Sequence, residues 1–94
     1  MSTMEKQLHI RVTGKVQGVW FRAFTREAAL SLDIRGYVTN QEDGSVLAIA
    51  EGREEDLADF VSRLRQGPSG ARVDDVLVTP GCEHDLPTPF TIRR

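Results

Sequence analysis

Val12-Thr13-Gly14-Lys15-Val16-Gln17-Gly18-Val19-Trp20-Phe21-Arg22 joins the end of a strand, a loop holding two glycines and the start of a helix. Ahead of it, Leu8, Ile10 and Val12 alternate with His9, Arg11 and Thr13, the period of a strand with one buried face, and this strand is expected to end at Gly14. Behind it, Phe21, Phe24, Ala28 and Leu32 recur at spacings of three and four, while Arg26, Glu27 and Ser31 take the other side. That pattern predicts an amphipathic helix from about Arg22 to Leu32.

The loop between them has its own chemistry. Backbone N–H groups of Lys15, Val16, Gln17, Gly18, Val19 and Trp20, a helix N-terminus behind them and the Arg22 guanidinium beside them all attract one small, multiply charged anion, for which phosphate is the natural guest. Gly14 and Gly18 are the positions able to relieve side-chain clashes at the bends. Arg22 offers paired donors in a plane, which lysine cannot copy. On general physics an ordinary strand-to-helix turn explains the same residues, so both readings stand. Two nucleotide motifs are excluded: Gly18 is followed by Val19-Trp20 where a P-loop needs Lys-Ser/Thr, and no G-x-G-x-x-G occurs.

Further along, Ile34 to Asn40 and Ser45 to Glu51 read as strands joined through Gln41-Glu42-Asp43-Gly44, whose Asp-Gly pair favours a tight reversal. Glu54, Glu55 and Asp56 open a second helix and Arg63 and Arg65 close it, matching its dipole, with Leu57, Phe60, Val61 and Leu64 as its apolar stripe. Gly67-Pro68-Ser69-Gly70 stops this helix, and Ala71 to Thr79 follows as a Val-rich strand. A polar stretch from Pro80 to Pro89 leads to a short apolar end at Phe90 and Ile92. The order β-α-β-β-α-β plus a terminal strand predicts an α+β, ferredoxin-like split βαβ sandwich, an antiparallel sheet in the order 4-1-3-2 with both helices on one face. On the other face Leu47 and Ile49 form an apolar patch or lie under the terminal segment.

Ninety-four residues are expected to form a single domain, residues 1–94, with one core and no second domain to close over a large substrate. Twelve Lys and Arg against fourteen Asp and Glu give a net charge of -2, which offers no broad cationic field to a nucleic acid. Cys82, the one cysteine, excludes an internal disulfide and a multi-thiolate zinc site and suits a reducing, cytoplasmic setting. The start, Met1-Ser2-Thr3-Met4-Glu5-Lys6-Gln7, lacks a signal peptide's apolar region, and no stretch reaches the roughly 18 apolar residues of a membrane span.

Val12-x-Gly14-x-Val16-Gln17-Gly18-Val19-x-Phe21-Arg22 closely resembles the first signature of the acylphosphatase family, and Gly36-Tyr37-Val38-x-Asn40-x-x-x-Gly44-x-Val46, with Gly52 in place, resembles the second. The resemblance spans nearly the whole chain, including Ala71-Arg72-Val73. It implies an enzyme that hydrolyses small acyl phosphates; the chain's length and the residues themselves add the expectation of a stand-alone, metal-independent and cofactor-free monomer. The loop amides and Arg22 would hold the phosphate, and Asn40 would orient the attacking water. Thr39, where a longer side chain is more usual, and Asp33, where glycine is more usual, depart from the family pattern.

Other residues have simpler explanations. His9 and His84 read as surface histidines, and Glu54-Glu55-Asp56 as helix-start charge rather than a metal cluster. Phe21 is expected in the core, with Trp20 free to touch the acyl group. Two rival readings use the same fold. One is a ligand- or RNA-binding module, which would want exposed aromatics on the central strands; the other is an accessory domain acting on carbamoyl phosphate.

Overall fold

Strand β1 runs over Glu5–Lys15 in the computed structural model, which describes residues 4–94. Met1, Ser2 and Thr3, part of the start read as lacking an apolar leader, lie outside the described residues. Helix α1 (Phe21–Ser31), β2 (Arg35–Asn40), β3 (Val46–Arg53), α2 (Glu54–Gln66), β4 (Arg72–Pro80) and β5 (Thr91–Arg93) follow. The sheet has the order β4-β1-β3-β2-β5. Its first four strands pair antiparallel in the expected order, but β5 joins β2 in parallel, so the sheet is mixed rather than wholly antiparallel. The cause is topological: the chain leaves β4 at one edge, crosses the sheet and arrives at the opposite edge running in the direction of β2.

Pairing explains where the elements end. β1 continues past Gly14 to Lys15 because Gly14 and Lys15 pair with Val73 and Arg72 after a register slip at Thr13. This bulge decides the role of Gly14, whose φ is 127° and on which a Cβ would lie 2.1 Å from the Arg72 carbonyl oxygen. Gly14 therefore permits close approach to β4, rather than relieving a bend of the loop itself.

One face of the sheet carries Ile10, Val12, Val38, Val46, Ala48, Ala50 and Val76 beneath both helices. From α1 come Phe21, Thr25, Ala28 and Ala29, and from α2 Leu57, Phe60 and Leu64. The apolar pattern passes over Thr25 and Ala29; Thr25 is the polar one, and its hydroxyl donates to the Phe21 carbonyl at 2.9 Å, which makes burial tolerable. Beyond α1, Asp33 adopts a left-handed conformation at φ 56°, which accounts for glycine being more usual at this position.

The terminal segment crosses part of the second face, over Ile49, one of the two residues expected there; Leu47 is half-buried and Leu77 on the same face is 55% exposed. Residues 81–89 cross that face as a strap. Gly81 donates to the Gln7 carbonyl at 2.9 Å, and the Gln7 side chain exchanges hydrogen bonds with the Glu83 backbone at 2.7 and 2.9 Å. The Tyr37 hydroxyl donates to the Glu83 carboxylate at 2.8 Å, and burial together with that carboxylate pushes the phenol up from its ordinary pKa. Gly36 closes the crossing with a bond to the Pro87 carbonyl at 3.0 Å. Ile49 beneath is only 1% exposed.

The hairpin between β2 and β3 is held by one carboxylate. Asp43 accepts from the Ser45 hydroxyl at 2.6 Å and the Ser45 N–H at 3.0 Å, and pairs with Arg11. Those contacts, the Ser45 hydroxyl foremost, hold its pKa down from 3.8 to about 2. A carboxylate whose folded pKa is depressed stabilises the fold above its unfolded value and loses that contribution as pH falls through the folded one.

Two outcomes follow from these contacts. Asp43→Asn should be less stable than wild type near neutral pH, the difference closing as pH falls from 3.8 towards 2, measured by urea unfolding; a difference constant across that window would remove the linkage. Gly14→Ala should lose at least about 2 kcal/mol. Gly44→Ala, at φ 93° with nothing within 4 Å of the added carbon, should lose less, and equal losses would deny the close approach to β4.

Candidate active site

From Val16 to Trp20 the chain turns sharply between β1 and α1. Val16 anchors the loop from below at 1% exposure, and Gly18 makes the bend at φ 75°. The Gln17 side-chain amide donates to the carbonyls of Gln41 and Ser45 at 2.8 and 2.9 Å, bolting the loop to the β2–β3 hairpin. Trp20 takes a left-handed conformation at φ 64°, rare for a large side chain, and stands 84% exposed at the mouth of the helix.

This strained corner leaves the helix start open. Trp20 occupies the N-cap position of α1 but its side chain makes no capping bond, and the first turn carries no acidic residue. The N–H groups of that turn lack intrahelical partners and carry the positive end of the helix dipole. α2 differs, with Glu54, Glu55 and Asp56 in its first turn. Arg22 adds a full charge within the open turn; it is half-buried and, among the described residues, takes part in no hydrogen bond or ion pair.

Asn40 ends β2 on the helix-facing side, paired with Val46 across β3. Its Oδ1 is buried and has no hydrogen-bond partner among the described residues. Leaving such an atom unpaired costs about 1–3 kcal/mol, and which end of the amide is oxygen is a matter of assignment, so one polar atom of this amide is held unsatisfied either way. Backbone strain and unpaired polar atoms of this kind concentrate where a ligand completes the structure.

These pieces border one pocket of about 330 Å³. Val16, Gly18 and Trp20 line it from the loop, Phe21, Arg22 and Ala23 from α1, Asn40 from β2, and Ile92 and Arg94 from the β5 end. Of the expected phosphate-loop residues, Lys15 lies exposed at the end of β1 opposite Arg72, Gln17 is committed to the hairpin, and Val19 packs against the core; none of these three forms pocket wall. Phe21 is both core and wall. Ile92 and Arg94 escaped the sequence reading, whose only trace of them was the apolar alternation at Phe90 and Ile92. Among the described residues no group of three His, Cys, Asp or Glu side chains is placed to hold a metal ion.

Comparison with known proteins agrees with this architecture. The acylphosphatase family model matches residues 8–92. The acylphosphatase of Thermotoga maritima is 52% identical over 91 residues, covering 94% of this chain and 97% of that protein. That of Rhizobium etli is 39% identical over 92 residues and covers 98% of both chains. The crystal structure of acylphosphatase from Bacillus subtilis matches with a TM-score of 0.89 at 36% identity, covering 97% of this chain and 100% of that one. HypF of T. kodakarensis matches with a TM-score of 0.83 at 34% identity, over 97% of this chain but 12% of its own. With its fold, both signature runs and nearly its full length shared with proteins of this kind, the chain belongs to the acylphosphatase family.

Proposed function

We propose that the pocket cleaves the carboxyl-phosphate bond of acyl phosphates, releasing a carboxylate and inorganic phosphate, with Arg22 and Asn40 as its catalytic residues. The observation that carries this reading is the open first turn of α1, with Arg22 in it, lining one pocket with the unpartnered Asn40 amide. Donors on one side suit a phosphoryl group, and an unsatisfied amide on the other suits a water that needs aiming.

Water attacks phosphorus in line, its O–P bond forming as the bond from phosphorus to the acyl oxygen breaks. The carboxylate leaves with that bond's electron pair, and the water's proton passes to a phosphate oxygen. A carboxylate is a good leaving group, so no covalent intermediate and no strong base are required. Positioning contributes roughly 7–11 kcal/mol in favourable cases and each charge-assisted hydrogen bond about 1.5–3 kcal/mol, enough for one loop and one arginine to suffice. Asn40 aims the water, while Arg22 and the amides of the loop and first helical turn hold the equatorial oxygens as negative charge shifts.

This machinery lies within one chain, consistent with a single-domain monomer, and the exposed Cys82 thiol suits the reducing conditions of a cytoplasm. No helix among the described residues is long and apolar enough to cross a membrane. The strap crosses part of the sheet face that an RNA-binding module would offer to bases, and Tyr37, the aromatic there, is buried under it with its hydroxyl donated to Glu83, which speaks against that role. The likeness extends over 98% of the Rhizobium etli acylphosphatase and over 12% of HypF.

Benzoyl phosphate should be hydrolysed well above the buffer rate, and equally in EDTA; no turnover would favour a binding module, and loss in EDTA would call for a metal. Asn40→Ala should lose most turnover yet bind inorganic phosphate almost as wild type, titrated through the fluorescence of Trp20, the chain's one tryptophan. Equal loss of phosphate binding would contradict the water-orienting role. Arg22→Lys should lower kcat/KM by at least about 10²-fold, and unchanged kinetics would dispose of the two-pronged clamp.

A further inference from the structure

Asn40 is assigned to aim a water, yet nothing in the chain holds its amide directly. Among the described residues the Asn40 side chain makes no hydrogen bond, so its aim is that of the backbone carrying it. The β2–β3 ladder ends at that point, with the Asn40–Val46 pair. Beyond it the chain turns through Gln41 to Ser45, closed by the Gln41 N–H donating to the Ser45 carbonyl at 2.9 Å and the Gly44 N–H donating to the Gln41 carbonyl at 3.2 Å.

The same two carbonyls, of Gln41 and Ser45, accept the bonds from the Gln17 side-chain amide at 2.8 and 2.9 Å. An –NH2 group holds its two hydrogens in one plane at a fixed angle, so serving both acceptors sets the orientation of the turn as well as its distance. Among the described residues no other side chain of the loop from Val16 to Trp20 bonds to the turn. Asp43 braces the turn from the far side, but its partners, Ser45 and Arg11, lie in the turn itself and in β1. Gln17 spans the two halves of the site: its main chain belongs to the loop assigned to the phosphate, and its half-buried side chain grips the backbone next to Asn40. That side chain forms no part of the pocket wall, so it acts on the reaction through what it holds.

We propose that the Gln17 side chain is a positioning residue, which sets Asn40 relative to the bound phosphoryl group so that the attacking water stands in line with the bond that breaks. This rests on the acyl phosphate reading above. Inorganic phosphate, which needs the loop and Arg22 but no aimed water, is indifferent to that setting. A five-coordinate mimic of the reaction's midpoint, in which an apical oxygen takes the place of the water, depends on it. Orthovanadate supplies that mimic.

The test compares wild type with Gln17→Met, which keeps the side-chain length and removes both donors. With benzoyl phosphate, kcat should fall by about 10- to 100-fold, the scale of a reacting group displaced by an ångström, with KM changed by less than about twofold. Titrated through Trp20 fluorescence, inorganic phosphate should bind as tightly as to wild type, while orthovanadate should bind more weakly by the factor lost in kcat. In an Asn40→Ala background, where the group being aimed is gone, Gln17→Met should cost orthovanadate nothing further. Gln17→Asn, whose amide is too short to reach both carbonyls, should show the same split in milder form, and serves if Gln17→Met does not fold.

Unchanged kcat in both variants overturns the proposal. So does weakening of phosphate and orthovanadate by equal factors, which is what collapse of the loop would give, and so does an undiminished orthovanadate loss in the Asn40→Ala background. Failure of the wild-type protein to hydrolyse benzoyl phosphate is a different result, and overturns the acyl phosphate reading itself.

Discussion

The two hydrogen bonds from the Gln17 side-chain amide to the carbonyls of Gln41 and Ser45 tie together the halves of the site. Gln17 lies in the loop before α1, and Gln41 directly follows Asn40. One –NH2 group thus sets the distance between the anion-binding amides and the residue assigned to aim the water. Each bond contributes on the order of 1 kcal/mol to stability, but its larger effect is geometric, because positioning loses much of its value when reacting groups shift by an ångström. Asp43 supports the same joint from the other side by holding Ser45 and Arg11.

Around that joint the molecule tolerates features that would be faults elsewhere. α1 begins without a cap, Trp20 sits in a left-handed conformation, and an Asn40 oxygen is buried without a partner. Each would cost free energy in an empty pocket, and each is relieved or used when a tetrahedral anion and a water fill it. The offsetting stability lies away from the site, in the layer between sheet and helices and in the strap over the second face. Phe90 joins the two, packing edge-on against Phe60 of α2 with ring centres 5.9 Å apart.

The strap also completes the pocket. By carrying the chain from the β4 edge to the β2 edge it delivers β5 beside β2, and Ile92 and Arg94 to the rim. Glu83, Tyr37 and Arg93, all on the second face, fasten this delivery.

Local chemistry made much of this legible without coordinates. Alternation of Leu8, Ile10 and Val12, the stripe of Leu57, Phe60 and Leu64 and the Asp43-Gly44 reversal are short-range signals, and they define the strands, helices and hairpin because period and turn chemistry act between near neighbours. The runs around Arg22 and Asn40 carried the site candidates for the same reason, and both border one pocket. What only the tertiary structure decided are contacts between distant segments: the bulge that assigns Gly14 to β4, the parallel docking of β5, the burial of Ile49 under the strap, and the arrival of Ile92 beside Val38. Those depend on which edge a connecting segment reaches and which face it crosses. Hydrophobic period identifies an element and its buried side, but it carries no record of the partner that the edge of a sheet will accept.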